Sequence, residues 1–140
     1  MRYAIVVGRF YEDLAERLVT SATRAFQLGG AEAVDVFDVP GAYELPFAAQ
    51  ELARTGRYGG VACLGAVIRG ETSHYDHVCE ESARGIMDVM LRTGVPCSFG
   101  VLTVDTMDQA LARSGGDKRD SGAHAAEAVV ALAKLQESVA

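Results

Sequence analysis

No run of five basic side chains occurs anywhere in this sequence, and its 13 lysines and arginines are outnumbered by 19 aspartates and glutamates, for a formal net charge of -6. A surface of that sign makes nucleic acid and anionic membrane poor partners. Also missing is any stretch near the roughly 18 apolar residues of a membrane span. Met1 to Val7 enter an apolar strand at once, with one arginine and no cleavage-site pattern. Cysteine is sparse. Cys63, Cys79 and Cys97 are odd in number, widely spaced and set in apolar stretches. They read as buried free thiols of a reducing compartment, and a cytoplasmic location is expected. The chain has no repeats and no low-complexity tract. It has neither a Gly-x-Ser-x-Gly elbow nor a phosphate loop ending in Gly-Lys-Ser/Thr, which weakens the hydrolase and nucleoside-triphosphatase readings. Histidine numbers only three. A catalytic zinc needs three well-placed ligands, and with His124 far from His74 and His77 no metal site is expected. The cysteines have no close basic partner in sequence, which leaves nucleophilic cysteine catalysis weak.

What remains is a chain of 140 residues, enough for one domain with a sheet buried under helices and no need of disulfide or metal staples. Short β-branched runs alternate with longer segments of helical period, the pattern of a parallel sheet with crossover helices. Strands are expected at Tyr3 to Val7, Ala33 to Val39, Val61 to Ile68 and Phe99 to Val104. A first helix opens on Glu12 and Asp13, carries Leu14, Leu18, Ala22 and Phe26 at helical spacing, and stops at Gly29-Gly30. A second runs from Glu44 to Leu52, with Pro46 tolerated in its first turn. A third spans about Asp76 to Arg92, with Cys79, Ala83, Ile86 and Met90 on one face, and ends at Gly94-Val95-Pro96. The remainder is helical apart from the polar segment Ser114 to Ser121, with Ala126, Val129, Val130 and Ala133 as the last helix's buried stripe. The expected fold is a three-layer α/β/α sandwich on a four-stranded parallel sheet with right-handed crossovers.

Such a sheet gathers the loops after its strands on one edge, where ligands of α/β proteins bind. Phe10, the Gly41 to Glu44 turn, the Gly70 to His77 turn and the residues near Phe99 are expected to meet there. The richest segment is Gly65 to Cys79, which packs an arginine, a hydroxyl pair and two histidines into one strand-to-helix junction. Histidine is the side chain whose ordinary pKa lies near neutrality, so His74 in this loop can take and give a proton within one turnover, with Asp76 to orient it. A lone histidine there serves equally to cap the helix or bond a carbonyl; the company His74 keeps favours the proton-carrying role. His77 is read as structural and His124 as surface or filler. Thr72 and Ser73, with the amides ahead of a helix, make a candidate anion nest, and Arg69 and Arg113 are the candidate phosphate arginines, each equally read by itself as a solvated surface charge. Phe10, Tyr43 and Phe99 offer faces for a planar heterocycle, although an aromatic at a strand end more often packs in the core.

Three motifs carry a resemblance: Gly8-Arg9-Phe10, Val39-Pro40-Gly41-Ala42-Tyr43-Glu44-Leu45-Pro46, and Gly65-Ala66-Val67-Ile68-Arg69-Gly70-Glu71-Thr72-Ser73-His74-Tyr75-Asp76. In these, and essentially from end to end, the chain resembles the 6,7-dimethyl-8-ribityllumazine synthase family of riboflavin biosynthesis. The resemblance implies a flavodoxin-like fold over residues 1–140 and condensation of 5-amino-6-ribitylaminouracil with 3,4-dihydroxy-2-butanone 4-phosphate. It implies no cofactor, because imine formation, phosphate elimination and ring closure ask for proton transfer and a phosphate clamp. Carried over residue by residue, it implies His74 as proton donor and Glu71, Thr72 and Arg113 as phosphate contacts. Phe10, Ala42, Tyr43, Glu44, Ala66, Val67, Ile68 and Phe99 become pyrimidine and ribityl contacts. It further implies a homopentamer with active sites between subunits, and in some members a shell of twelve pentamers. Members commonly carry a lysine before the glycine matching Gly122, where this chain has Ser121 with Lys118 and Arg119 just upstream. Many also have an additional N-terminal strand, whereas the first core strand here starts almost at Met1. The alternatives are a non-catalytic flavin- or lumazine-binding or shell-forming homologue, and the archaeal-type riboflavin synthase, whose members lack the Arg-Gly-x-Thr-x-His run.

Overall fold

The computed structural model describes residues 1–116 and 118–140. Its β-branched runs form β1 (Arg2–Gly8), β2 (Ala33–Val39), β3 (Val61–Ile68) and β4 (Cys97–Val104). Between and after them lie α1 (Glu12–Leu28), α2 (Leu45–Arg54), α3 (His74–Thr93), α4 (Met107–Arg113) and α5 (Ser121–Val139). All strands pair in parallel in the order β2-β1-β3-β4, with Ile5 facing both Val36 and Ala62, and Cys63 facing Phe99. Successive residues of a strand point to opposite faces, so β1 feeds two cores. Tyr3, Ile5 and Val7 pack with α1 and α5, while Ala4 and Val6 pack with α2 and α3. This is the expected three-layer sandwich of flavodoxin-like topology.

The distribution of helices follows from the strand order. From β1 the chain steps outward to β2 through α1, then returns past β1 to β3 through α2 and continues to β4 through α3. Because the direction of travel reverses after β2, crossovers of one hand must lie on opposite faces before and after it, and α1 indeed faces away from α2 and α3. α5 returns to the α1 face, where Ala126, Val129, Val130 and Ala133 are all buried as the apolar stripe requires.

Element boundaries depart from the expected ones where local geometry intervenes. β4 starts two residues early, at Cys97, and a 3-10 turn over Ala42–Glu44 precedes α2, whose Pro46 sits in the first turn. α3 starts at His74, two residues before Asp76, and ends on Gly94 in the left-handed region at φ 71°. Its buried stripe is Val78, Ser82, Ile86 and Val89; Cys79, Ala83 and Met90 are only half-buried. The two stripes are adjacent on the helix, and a serine signals the wrong side. Ser82 tolerates burial because its Oγ donates to the Val78 carbonyl at 2.6 Å. Of the cysteines, Cys63 and Cys97 are buried and Cys79 is half-buried. Within the polar segment Ser114 to Ser121, Asp117 lies outside the described residues; Ser114 and Asp120 form an isolated antiparallel bridge. Among the described residues no helix is long and apolar enough to cross a membrane.

Candidate active site

The strand order reverses between β1 and β3, so the loops leaving these two strands diverge and open a crevice at the carboxyl edge. A cleft of about 570 Å³ lies there. Phe10 and Tyr11 line it from the loop after β1, Pro40 to Glu44 from the turn after β2, Ala66 to Ile68 from the end of β3, and His74, His77 and Val78 from the start of α3.

Close backbone approach builds the first wall. A β-carbon on Gly8 would stand 2.8 Å from the Gly41 carbonyl carbon, so the ends of β1 and β2 can meet only because residue 8 has no side chain. Arg9 then ties them. Its backbone N–H donates to Val39 O at 2.9 Å, its Nε to Asp38 at 2.8 Å, and its guanidinium also pairs with Glu16. With Arg9 so held, Phe10 projects outward, 75% exposed and edge-on to Tyr11 at 4.9 Å. The 3-10 turn presents Tyr43, 62% exposed, on the neighbouring side. Large aromatics left in solvent at the mouth of a cleft are surfaces in want of a planar partner.

On the opposite side, α3 supplies the ionisable groups. His74 is its first residue, and its backbone N–H donates to Thr72 Oγ1 at 3.3 Å, while Ser73 makes no side-chain cap. The early helix start also brings His77 to the cleft, one turn from His74 on the same face. The sequence left the direction of His77 open, and the structure places it on the cleft lining, where the i, i+3 spacing from His74 was the available signal. Asp76 does not orient His74. Its carboxylate faces Arg69 at 3.6 Å, and Arg69 Nε is bound to Asp105 at 2.8 Å, so both side chains are engaged in surface ion pairs. His124 is exposed, near Arg119.

Phe10, Ala42, Tyr43, Glu44, Ala66, Val67, Ile68 and His74 thus share one cleft. Glu71 and Thr72 sit on the exposed loop before α3, beside the cleft and outside its lining. Phe99 and Arg113 do not join it. Phe99 pairs with Cys63, five residues short of Val104 at the carboxyl edge, or roughly 16 Å at strand rise. The expectation that the residues near Phe99 meet the other loops fails because it lies in the first half of a strand running toward that edge. It stands 40% exposed on the free edge strand. Arg113 closes α4, half-buried, donating to Gln109 O at 3.1 Å.

The thiols offer no alternative chemistry. Burial pushes Cys97 up to about 12 and Cys63 well above its ordinary value, and partial burial raises Cys79. At neutral pH all three stay protonated and poorly nucleophilic. Among the described residues no group of three or more His, Cys, Asp or Glu side chains is placed to hold a metal ion. A second cleft, of about 520 Å³ between α1 and α5, is lined by no strand residue and no histidine.

A parallel α/β sandwich with an aromatic-walled, histidine-bearing cleft at its switch point defines a flavodoxin-like protein built to handle a small planar molecule. Comparison with known sequences narrows the class. The profile of the family described as 6,7-dimethyl-8-ribityllumazine synthase matches residues 1–137. A 6,7-dimethyl-8-ribityllumazine synthase of Salinibacter ruber is 49% identical over 96% of this chain and 87% of its own length. That of Deinococcus radiodurans is 47% identical over 99% of this chain and 91% of its own. The chloroplastic enzyme of Spinacia oleracea is also 47% identical, over 97% of this chain and 62% of its longer sequence. The chain belongs to the 6,7-dimethyl-8-ribityllumazine synthase family.

Proposed function

We propose that this chain catalyses the condensation of 5-amino-6-ribitylaminouracil with 3,4-dihydroxy-2-butanone 4-phosphate to give 6,7-dimethyl-8-ribityllumazine, phosphate and water, the penultimate step of riboflavin biosynthesis. The observation that carries it is His74 at the head of α3, over a cleft floored by Ala66 to Ile68 and flanked by Phe10 and Tyr43. The pyrimidine lies between those aromatic faces and against the β3 backbone, with Ala42, Tyr43 and Glu44 directed at the ring and ribityl chain. His74 is the proton carrier. It gives and takes the protons of imine formation and ring closure, and the arrangement accelerates the reaction mainly by holding amine and ketone together. Glu71 and Thr72, on the loop entering α3, bind the phosphate with Arg113.

Phe99 and Arg113 complete the site from a neighbouring subunit. Their distance from the cleft of their own chain, and the exposure of Phe99 on an edge strand, support a homopentamer with sites between subunits. Assembly of pentamers into a 60-subunit shell remains compatible with the short α4–α5 connection. Residues 1–140 form one domain of this family, and three free cysteines favour a reducing, cytoplasmic setting.

The test is lumazine formation, followed by absorbance and fluorescence, from the two substrates with the slow uncatalysed condensation subtracted. Acceleration well above background is expected, with Ser121 tolerated in place of the lysine common in relatives. A rate equal to background from folded, assembled protein that still binds the pyrimidine would refute the assignment.

A further inference from the structure

Arg69 is spent on protein, not on the cleft. It directly follows β3, its backbone N–H donates to Val104 O at 2.9 Å, and it is not among the residues lining the cleft. Its Nε donates to Asp105 at 2.8 Å; Asp105 is itself fixed through its backbone N–H, which donates at 2.7 Å to Gln109 Oε1, the side chain that also closes the Thr106 capping box of α4. From that anchored position the guanidinium reaches across to the first turn of α3. Its carbon lies 4.2 Å from the centre of the Tyr75 ring, and its Nη1 is 3.6 Å from the Asp76 carboxylate. Two consecutive residues, 75 and 76, are therefore gripped by one side chain, one by its aromatic face and the other by its charge. The residue immediately before them is His74.

We propose that Arg69 is a positioning residue, a clamp between the end of β3, Asp105 and the Tyr75–Asp76 pair that holds the first turn of α3 and so aims His74 into the cleft. This rests on the reading of His74 as the proton carrier. The first turn needs such a fastening because the loop Gly70 to Ser73 ahead of it is exposed and Ser73 supplies no side-chain cap. A planar guanidinium suits the task, since it can lie on a ring and bind two carboxylates in its plane at once, which a lysine ammonium cannot do. Displacement of a reacting group by about 1 Å can cost up to roughly 10²-fold in rate, so partial loosening of one turn is expected to cost about tenfold.

The experiment compares Arg69→Met and Arg69→Lys with the parent chain, each alone and in a His74→Ala background. Arg69→Met is expected to lower kcat about tenfold with less than about twofold change in KM for the phosphorylated ketone, and Arg69→Lys to recover only part of the loss. In the His74→Ala background the same change should cost less than about twofold, because nothing is left to aim. Amide hydrogen exchange at residues 77–80 should quicken in Arg69→Met while α5 is unaffected. An unchanged kcat, a loss as large without His74 as with it, or a rise confined to KM for the phosphorylated ketone overturns the clamp, the last by making Arg69 a direct phosphate ligand. Should His74→Ala alone keep full turnover, the proton-carrier reading fails separately. Exchange at 77–80 then decides whether the clamp holds α3: quickening upholds it, and no change overturns it.

Discussion

At the residue scale, the cleft divides its side chains by what each can do when charge moves. The walls contributed by Phe10, Tyr43 and the β3 backbone are the same before and during reaction, so they bind without discriminating the transition state, whereas a proton carrier matters only while protons are in flight. His74→Ala is accordingly expected to lower kcat by about 10²-fold while leaving KM for the pyrimidine within a factor of about two. Steady-state kinetics with each substrate varied in turn would measure this; undiminished turnover would remove His74 from its role. Arg113→Ala should instead raise KM for the phosphorylated ketone by about tenfold, the scale of one charge-assisted hydrogen bond. An equal rise for the pyrimidine would contradict a phosphate contact. Residue identity made His74 legible in the sequence, since a histidine among hydroxyls at a strand-to-helix junction is uncommon company. It made Asp76 misleading. Adjacency in sequence suggested a partnership with His74, but a helical first turn carries side chains 74 and 76 to different sides, and Arg69 claims the carboxylate.

At the scale of elements, packing rests on places where backbones nearly touch. α5 crosses α1 at Gly122, where a β-carbon would collide with the Leu18 carbonyl oxygen, backbone that cannot yield without moving a helix. Gly122→Ala is therefore expected to destabilise the fold by about 1–3 kcal/mol, the cost of overpacking a filled interior. Gly70→Ala, where nothing lies within 4 Å, should be near neutral. Denaturant unfolding of both variants tests the contrast, and equal midpoints would show that the α1–α5 contact is looser than described. The β2 and β3 boundaries agree with the sequence expectation because β-branched runs bounded by glycine and proline leave little freedom. α3 was legible as a helix, but neither its first turn nor its buried face was. Propensity cannot tell two adjacent stripes apart when cysteine and methionine lie on one and a serine satisfied by its own helix lies on the other.

At the scale of the whole molecule, two proposed site residues, Phe99 and Arg113, lie outside the cleft of their own chain. If the cleft is completed by a neighbour, His74 and Arg113 act in pairs drawn from different subunits. Co-expressed His74→Ala and Arg113→Ala chains, assayed with the phosphorylated ketone well below the parental KM so that each variant alone is at least about tenfold impaired, should then regain about a quarter of parental activity, the share of interfaces at which random mixing brings two intact residues together. No recovery in mixed pentamers would mean that each chain builds its site alone. The alternation of β-branched runs with helical periods already dictates a parallel three-layer sandwich, because each such segment must bury its apolar face on a neighbour. The ordered motifs around Phe10, Tyr43 and His74 likewise carry the family and the chemistry, since residue type is a local property. Distance is not local. Which residues share the cleft depends on the strand order β2-β1-β3-β4, on the direction each strand runs and on the rotation of α3. Those follow from the simultaneous packing of all the layers, and this is why His77 lines the cleft, Arg69 pairs with Asp105 and Asp76, and Phe99 stands exposed on the edge strand away from the cleft.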